Sequence, residues 1–441
     1  MKILFVIHQF LPRHVTGTEQ YVRSLARGLR DRGHDVRVFA YEPQLEAQGD
    51  AAVWIERDED VDGIPVRRVG LHPDVVSNRQ LADWSHPIAE RLFRRALDGF
   101  EPDRVHVFHL RNIGVGALVE AEKAGVPVAV NLMDFWFVCP RFTLLHRDGH
   151  LCDGPPDDGL GCVPCLLPDL GPLLEPVGEP LRRTAHHALV PAGHRDSRAH
   201  RAAALVGRKE RLLERLARVE AVIAPSLFLK RTFEEQGFDG DRIRHVPYGV
   251  DPARLVGHAR REVVEADGVR FGYVGSLMPH KGLHVAIEAL LGLDGPWVLE
   301  VHGDLDVHPA YSDRLRALVG DDPRVEFAGG FRPTDLGRVL SGFDALIAPS
   351  LWYENTPFTV LEAQMAGMPI LASDLGGISE VVRSEENGLL FAVGDVAGAR
   401  AACARLIDAP DVVESLRPKG PARTLDDNLD DFEALYRDLA P

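Results

Sequence analysis

The sequence predicts an α/β protein made of two doubly wound, Rossmann-like domains. Three observations carry that expectation. At 441 residues the chain exceeds one ordinary hydrophobic core. Short apolar runs alternate with helical patterns from the N-terminus, the signature of a parallel sheet covered by helices. A second series of the same kind begins near Val269.

In the first series, strands are expected at 3–7, 36–40, 66–69, 105–108, 126–132, 221–224 and 243–246. After the first, Val22, Leu25, Ala26 and Leu29 recur at helical spacing with arginines between them, and Gly33 supplies a left-handed C-cap. The second series runs from Val269 through 297–301, 325–328, 345–348 and 370–372. The stretch 252–268, charged and without apolar periodicity, reads as the linker. The expected domains are therefore 1–252 and 268–422, with a final helix over 423–441 signalled by Phe432, Leu435 and Leu439. Open parallel sheets bind ligands beyond the carboxyl ends of their strands, so two facing sheets would hold the chemistry in a central cleft.

Composition removes several classes. No apolar run approaches the roughly 20 residues that span a bilayer. The opening MKILFVIHQF lacks the longer apolar core and cleavage site of a signal peptide, and reads as the buried first strand of a cytoplasmic protein. A formal charge of −16 argues against nucleic acid as a partner. The charge is uneven: 181–220 is basic and the tail from 421 is acidic. No strand is followed by GxGxxG, which weakens a dehydrogenase reading. Gly272-Tyr-Val-Gly275 comes nearest, but its glycines lie within a strand and at its exit.

The most informative stretch is Glu354-Asn-Thr-Pro-Phe-Thr-Val-Leu-Glu362. Thr356 suits an N-cap and Pro357 the first helical position, and Gly367 and Pro369 end the helix. Glu362 then sits on the second turn, while Glu354 precedes the helix. The backbone N–H groups of Asn355, Thr356 and Phe358 point where an anion would bind. A phosphate at the helix tip with a carboxylate on either side fits a nucleotide sugar. A capped core helix with a surface glutamate at each end fits the same residues.

The chain resembles retaining glycosyltransferases of family 4, which have the GT-B fold. The matching segments are Gly17-Thr-Glu19, RGH at 32–34, PSLFLK at 225–230, VPYGVD at 246–251, YVGSLMPHKG at 273–282 and ENTPFTVLEAQMAGMPILASDLGG at 354–377. The resemblance implies a donor held mainly by the C-terminal domain, and a final helix that crosses back to the N-terminal one. Lys281 would neutralise the donor diphosphate, with Gly275 and Ser276 as close neighbours. Two leaving phosphates gain charge in the transition state, and a fixed ammonium stabilises it. Glu354 would attend the donor sugar and Glu362 the ribose hydroxyls, with Asn355, Thr356, Pro357 and Phe358 lining the donor. Gly303 would shape the nucleotide pocket. Gly17, in the first loop, would close over the diphosphate, where a side chain would block the approach. Retention would follow from front-face transfer, the leaving phosphate assisting the acceptor hydroxyl, with no catalytic metal.

Departures from the family pattern concentrate on two places. Ser276 stands where an arginine is common, which leaves more to Lys281 or brings in Arg332. Phe108 and Met133 stand at common histidine positions. Asp134 is then the first acceptor-side candidate and His109 the second, and Asp134 could equally cap the following turn.

Cys139, Cys152, Cys162 and Cys165 fall within one Gly/Pro/Asp-rich insertion spanning about 139–165, directly after Asp134, and the last two form a CxxC. In a cytoplasmic protein this pattern favours a metal over disulfides. A structural zinc with four thiolates is the expected occupant; an iron–sulfur cluster or unrelated buried thiols are the alternatives. Cys403 falls in a helical core pattern. The basic region 181–220 reads as a solvated helix packed on the N-terminal domain, or as a peripheral contact with the inner face of a membrane or with a phosphorylated acceptor.

The expected function is transfer of a sugar from a nucleotide-diphosphate donor to a carbohydrate, lipid-linked or other hydroxyl acceptor. A nucleotide-sugar epimerase and a non-catalytic sugar-nucleotide-binding protein are the rivals.

Overall fold

The computed structural model describes residues 1–42, 54–71, 79–170, 198–259 and 268–439. Part of the expected linker, 260–267, and the first part of the basic region, 181–197, lie outside the described residues.

The chain divides into two compact units. The first comprises Met1–Pro225, Leu229–Val246 and Leu429–Pro441. Among its described residues is an eight-stranded sheet of order β3-β4-β2-β1-β5-β6-β7-β8. Its strands are β1 (Lys2–Ile7), β2 (Asp35–Tyr41), β3 (Trp54–Val61), β4 (Ile64–Leu71), β5 (Arg104–Val107), β6 (Val128–Asn131), β7 (Ala221–Ala224) and β8 (Ile243–His245). All neighbours pair in parallel except β3 with β4. Helices on both faces explain the continuous apolar runs: Ile3 through Ile7 are all buried.

Strand β3 escaped the sequence reading, for a physical reason. Its run WIERDEDV is charged because it is an antiparallel edge, stabilised by ion pairs to its neighbour. Arg67 forks onto Asp58 with two contacts of 2.8 Å, and Arg68 meets Glu59 at 2.7 Å. Charge on an edge also deters pairing with other chains.

The helix Gly17–Asp31 buries Val22, Leu25, Ala26 and Leu29, and Gly33 follows with φ +90°. Gly17 is its first residue rather than part of a free loop.

The second unit comprises Ser226–Phe228 and Pro247–Asn428. Its six-stranded parallel sheet has the order β11-β10-β9-β12-β13-β14. The strands are β9 (Val269–Val274), β10 (Trp297–His302), β11 (Val325–Phe327), β12 (Ala345–Ala348), β13 (Ile370–Ser373) and β14 (Gly388–Phe391). Successive side chains alternate between two cores, as the period of a strand requires. On β12, Ala345 and Ile347 join the cluster around Phe271 and Leu299, while Leu346 joins that around Val360 and Ile378.

Candidate active site

Every candidate residue of the second unit lies past the carboxyl end of a strand or on the helix that follows. Gly275 and Ser276 leave β9, Gly303 leaves β10, and 349–357 leave β12. Two loops are zipped together there. Leu351 donates its N–H to the carbonyl of His280 at 2.8 Å. Gly282, at φ +72°, lies so close to the carbonyl of Pro349 that a Cβ would approach its oxygen to 1.8 Å. That contact sets the neighbouring Lys281 against the second loop.

The result is a charged cluster around one carboxylate. Lys281 Nζ lies 2.6 Å from Glu354 Oε1, and the same oxygen accepts from Trp352 Nε1 at 2.8 Å and Ser350 Oγ at 3.0 Å. The Lys281 ammonium also sits 5.1 Å above the Trp352 ring, a cation–π distance. Glu354 is 7% exposed. Burial works hardest against its ionisation, yet the Lys281 charge and the three hydrogen bonds outweigh it and hold the carboxyl below its usual range. Beside it, burial and then the Lys281 charge drop His280 to about 4, so this imidazole is neutral at pH 7.

Glu362 behaves oppositely. It lies on the helix Phe358–Met365 and is 4% exposed, and burial pushes its carboxyl above the ordinary range although Arg254 Nε meets Oε1 at 2.6 Å. The N-cap of this helix is Pro357, one residue later than expected. Thr356 Oγ1 donates to the Asn355 carbonyl at 2.7 Å and does not cap the helix. Asn355 Oδ1 accepts from Ser226 Oγ at 2.6 Å, and Phe358 packs on Tyr248 with ring centroids 4.6 Å apart. The segments around 226 and 248 thus scaffold the 354–358 loop. Gly303 donates to the Gly329 carbonyl, and a Cβ on it would meet the Gly275 carbonyl at 2.4 Å. Ser276 is exposed, with its carbonyl accepting from Tyr273 Oη at 3.0 Å. Arg332 lies with Asp335 at 3.1 Å, its side chain 82% exposed.

In the first unit, His109 follows β5 and Asp134 follows β6, and the fold brings them together at 3.0 Å, Nε2 to Oδ2. Nδ1 of His109 accepts the Arg111 N–H at 3.0 Å, so the ring proton sits on Nε2 and is donated to Asp134. Asp134 Oδ1 accepts the Trp136 N–H at 2.8 Å, so the capping and pairing roles coexist. His8, past β1, has its ring 4.2 Å from that of His109, and its buried Nδ1 has no partner among the described residues. Burial first, then the electrostatic influence of His109, Arg111 and His14, holds its pKa well below the ordinary value. Gly17 is exposed at the start of its helix.

In the segment 139–165, Cys139, Cys152 and Cys165 lie within electrostatic reach of Cys162. Burial pushes that thiol up to about 12, and Cys139, Cys152 and Cys165 add to the shift. As placed, no three His, Cys, Asp or Glu side chains among the described residues form a group that could hold a metal ion. Of the basic region, Arg208 is buried against Asp83 at 2.8 Å, Arg211 stacks on Trp84, and Arg218 pairs with Glu122 at 2.5 Å. Arg208 and Arg211 serve the packing of the first unit, while the Arg218 pair lies on its surface.

Sequence reasoning missed Ser350, Trp352, Arg254, Ser226 and His8. Trp352 and Ser350, only two and four residues before Glu354, were the findable ones: an indole N–H and a hydroxyl next to a carboxylate are natural donors.

Residues 16–155 match the family described as Glycosyl transferase 4-like domain, and 268–409 match Glycosyl transferases group 1. The chain is 27% identical over 405 residues to a GDP-mannose-dependent alpha-mannosyltransferase of Mycobacterium tuberculosis, covering 90% of this chain and 85% of the relative. It is 25% identical over 430 residues to an MMP alpha-(1->4)-mannosyltransferase of Mycolicibacterium hassiacum, covering 94% and 91%. Among solved structures, Anabaena HepE in complex with UDP and glucose is similar over 99% of both chains, with TM-score 0.63 and 18% identity. Sucrose-phosphate synthase from Thermosynechococcus elongatus is similar over 99% of this chain and 98% of its own, with TM-score 0.66 and 17% identity. At such identities the structural likeness shows the fold.

Proposed function

We propose, from the premise that this chain is a glycosyltransferase of the GT-B fold joining a 4-like domain to a group 1 domain, that it is a retaining family 4 enzyme. It would move a hexose from a nucleotide-diphosphate donor to an acceptor hydroxyl. The observation that carries this reading is Lys281 held at 2.6 Å on buried Glu354 beyond the carboxyl ends of β9 and β12.

As the bond from sugar to phosphate breaks, the diphosphate gains negative charge. The preorganised Lys281 ammonium answers that charge without a catalytic metal, and its loss is expected to lower turnover about 10²–10³-fold. Glu354 has Oε1 saturated by three donors, which leaves Oε2 to accept from donor-sugar hydroxyls. Glu362, with Oε1 on Arg254, offers Oε2 to the ribose. Asn355, Thr356, Pro357 and Phe358 line the donor between them, and Gly275, Ser276 and Gly303 admit its phosphates and base. The two glutamates thus bind and orient and do not form an acid–base couple. Retention follows if the leaving phosphate takes the proton of the acceptor hydroxyl on the same face.

We assign the first unit to the acceptor, with His109 and Asp134 orienting it and Gly17 approaching the diphosphate. The enzyme would work in the cytoplasm. Contact with a membrane surface would fall to the basic region 181–220, in which Arg208 and Arg211 are engaged in packing.

One relative is named for GDP-mannose, and one neighbouring structure holds UDP-glucose. A thermal-shift panel of GDP-mannose and UDP-, ADP- and TDP-sugars is therefore the direct test. A donor at 100 times its Kd adds about 2.7 kcal/mol to the folded state. One donor should raise Tm in the wild type and lose most of that effect in Glu362→Ala. If no nucleotide sugar raises Tm, the proposal fails.

A further inference from the structure

We propose that His302 reads the nucleobase of the donor, its Nδ1 accepting an N–H from the edge of the base, and so acts as a specificity-determining residue. That role rests on the nucleotide-sugar reading above and extends it from the diphosphate, ribose and sugar to the base.

His302 is the last residue of β10, directly before Gly303, and is 8% exposed. A chain of polar contacts fixes its ring. Arg270 Nε donates to the Gly342 carbonyl at 3.0 Å, and Arg270 Nη2 meets Glu300 Oε2 at 3.1 Å. The other oxygen of Glu300 takes His302 Nε2 at 2.6 Å. An ionised carboxylate only accepts, so Nε2 carries the proton and the neutral ring presents Nδ1 as an acceptor. The two nitrogens lie on different sides of the ring, which turns Nδ1 away from Glu300.

Nδ1 is buried and has no hydrogen-bond partner among the described residues. The aromatic rings packed on His302 are Phe331, edge to face with centroids 5.5 Å apart, and Phe343 at 5.8 Å, and neither has a polar hydrogen to give. A buried acceptor left unmet is costly, so the atom calls for a partner from outside the protein.

That partner must bring an N–H or O–H. The ionised diphosphate has neither, and the ribose and sugar hydroxyls fall to Glu362 and Glu354. The base is the remaining part of the donor, and nucleobases carry amino or imino N–H groups on their edges. Position agrees with chemistry. Gly303 donates its N–H to the Gly329 carbonyl at 3.0 Å, which ties the exit of β10 to the 328–331 segment after β11. Half-buried Phe331, on that segment, gives a planar base an aromatic wall beyond the carboxyl ends of both strands.

The test is isothermal titration of GDP, ADP and UDP into the full chain at about pH 8, with wild type and His302→Gln. The glutamine amide can still donate to Glu300 but removes the Nδ1 acceptor, so a role confined to holding Glu300 survives the change. The diphosphate that binds wild type best should bind the variant about 10-fold or more weakly. Analogues of it, with the base N–H groups replaced one at a time by N-methyl, should include one that loses about the same factor on wild type and little more on the variant. Where His302→Gln does not fold, His302→Phe fills the same space without a nitrogen and takes its place with the same expected loss. Unchanged affinity in the folded variant, or a methyl series that falls equally on both proteins, overturns the role of His302 and leaves the donor reading standing. Failure of every diphosphate to bind wild type overturns both.

Discussion

Glu354 and Glu362 are the same residue type on neighbouring turns of chain, and their surroundings drive them apart. Glu354 is buried but overcompensated by Lys281, Trp352 and Ser350, so its pKa is lowered; Glu362 is buried and undercompensated by Arg254, so its pKa is raised. The linkage to stability therefore has opposite signs. Glu354 contributes stability that is present above the ordinary carboxylate pKa and is lost as pH falls through its depressed value. Glu362 contributes stability present below the ordinary pKa and lost as pH rises through its elevated one. At pH 7, Glu354→Gln should lower Tm by about 2–4 °C, the shift of about 1 kcal/mol in a domain of this size. Glu362→Gln should leave Tm unchanged or raise it. Scanning calorimetry at pH 7 and pH 4 checks this, and both differences should shrink at the lower pH. Equal and parallel losses in the two variants would contradict the assignment.

At the scale of elements, the loops proposed to hold the donor are positioned by close backbone approach. Gly377 leaves no room: a Cβ there would fall 1.3 Å from the Asn355 carbonyl oxygen. Gly377→Ala should displace the 354–356 loop and weaken donor binding at least about tenfold, a cost of roughly 1.4 kcal/mol. Isothermal titration with the donor found by the thermal screen would measure it, and unaltered affinity would mean the loop does not bind donor. Buried parallel strands were legible because apolar runs such as 3–7 and 345–348 have no other reason to exist. The charged edge β3 was not, since its stability comes from cross-strand arginines that only the fold pairs. The helix beginning near Pro357 was legible from its start and stop residues, but the cap moved because the Thr356 hydroxyl turned to Asn355. The site glutamates were readable as a motif. Arg254, 108 residues before Glu362, was not, because no local rule links positions so far apart.

At the scale of the molecule, each unit has its own sheet and core, and the chain's last helix contributes to the first unit. Leu429, Phe432, Leu435, Tyr436 and Leu439 are all buried there; Tyr436 Oη meets His106 Nδ1 at 2.5 Å, and Arg104 reaches the Leu439 carbonyl at 2.6 Å. Burying an apolar side chain fully contributes about 1.5–3 kcal/mol. Deleting 429–441 should therefore unfold the first unit at ordinary temperature while the second keeps its own transition, which calorimetry resolves as the loss of one of two peaks. A single unchanged transition would contradict the division.

The central claim is that Lys281 stabilises the departing diphosphate of a nucleotide sugar, and single-turnover transfer from the donor identified by the thermal screen tests it most directly. Wild type should release nucleoside diphosphate and form a product of retained anomeric configuration, while Lys281→Ala, still folded, should transfer about 10²–10³-fold more slowly. Transfer at the wild-type rate by Lys281→Ala, or a product of inverted configuration, would contradict the account.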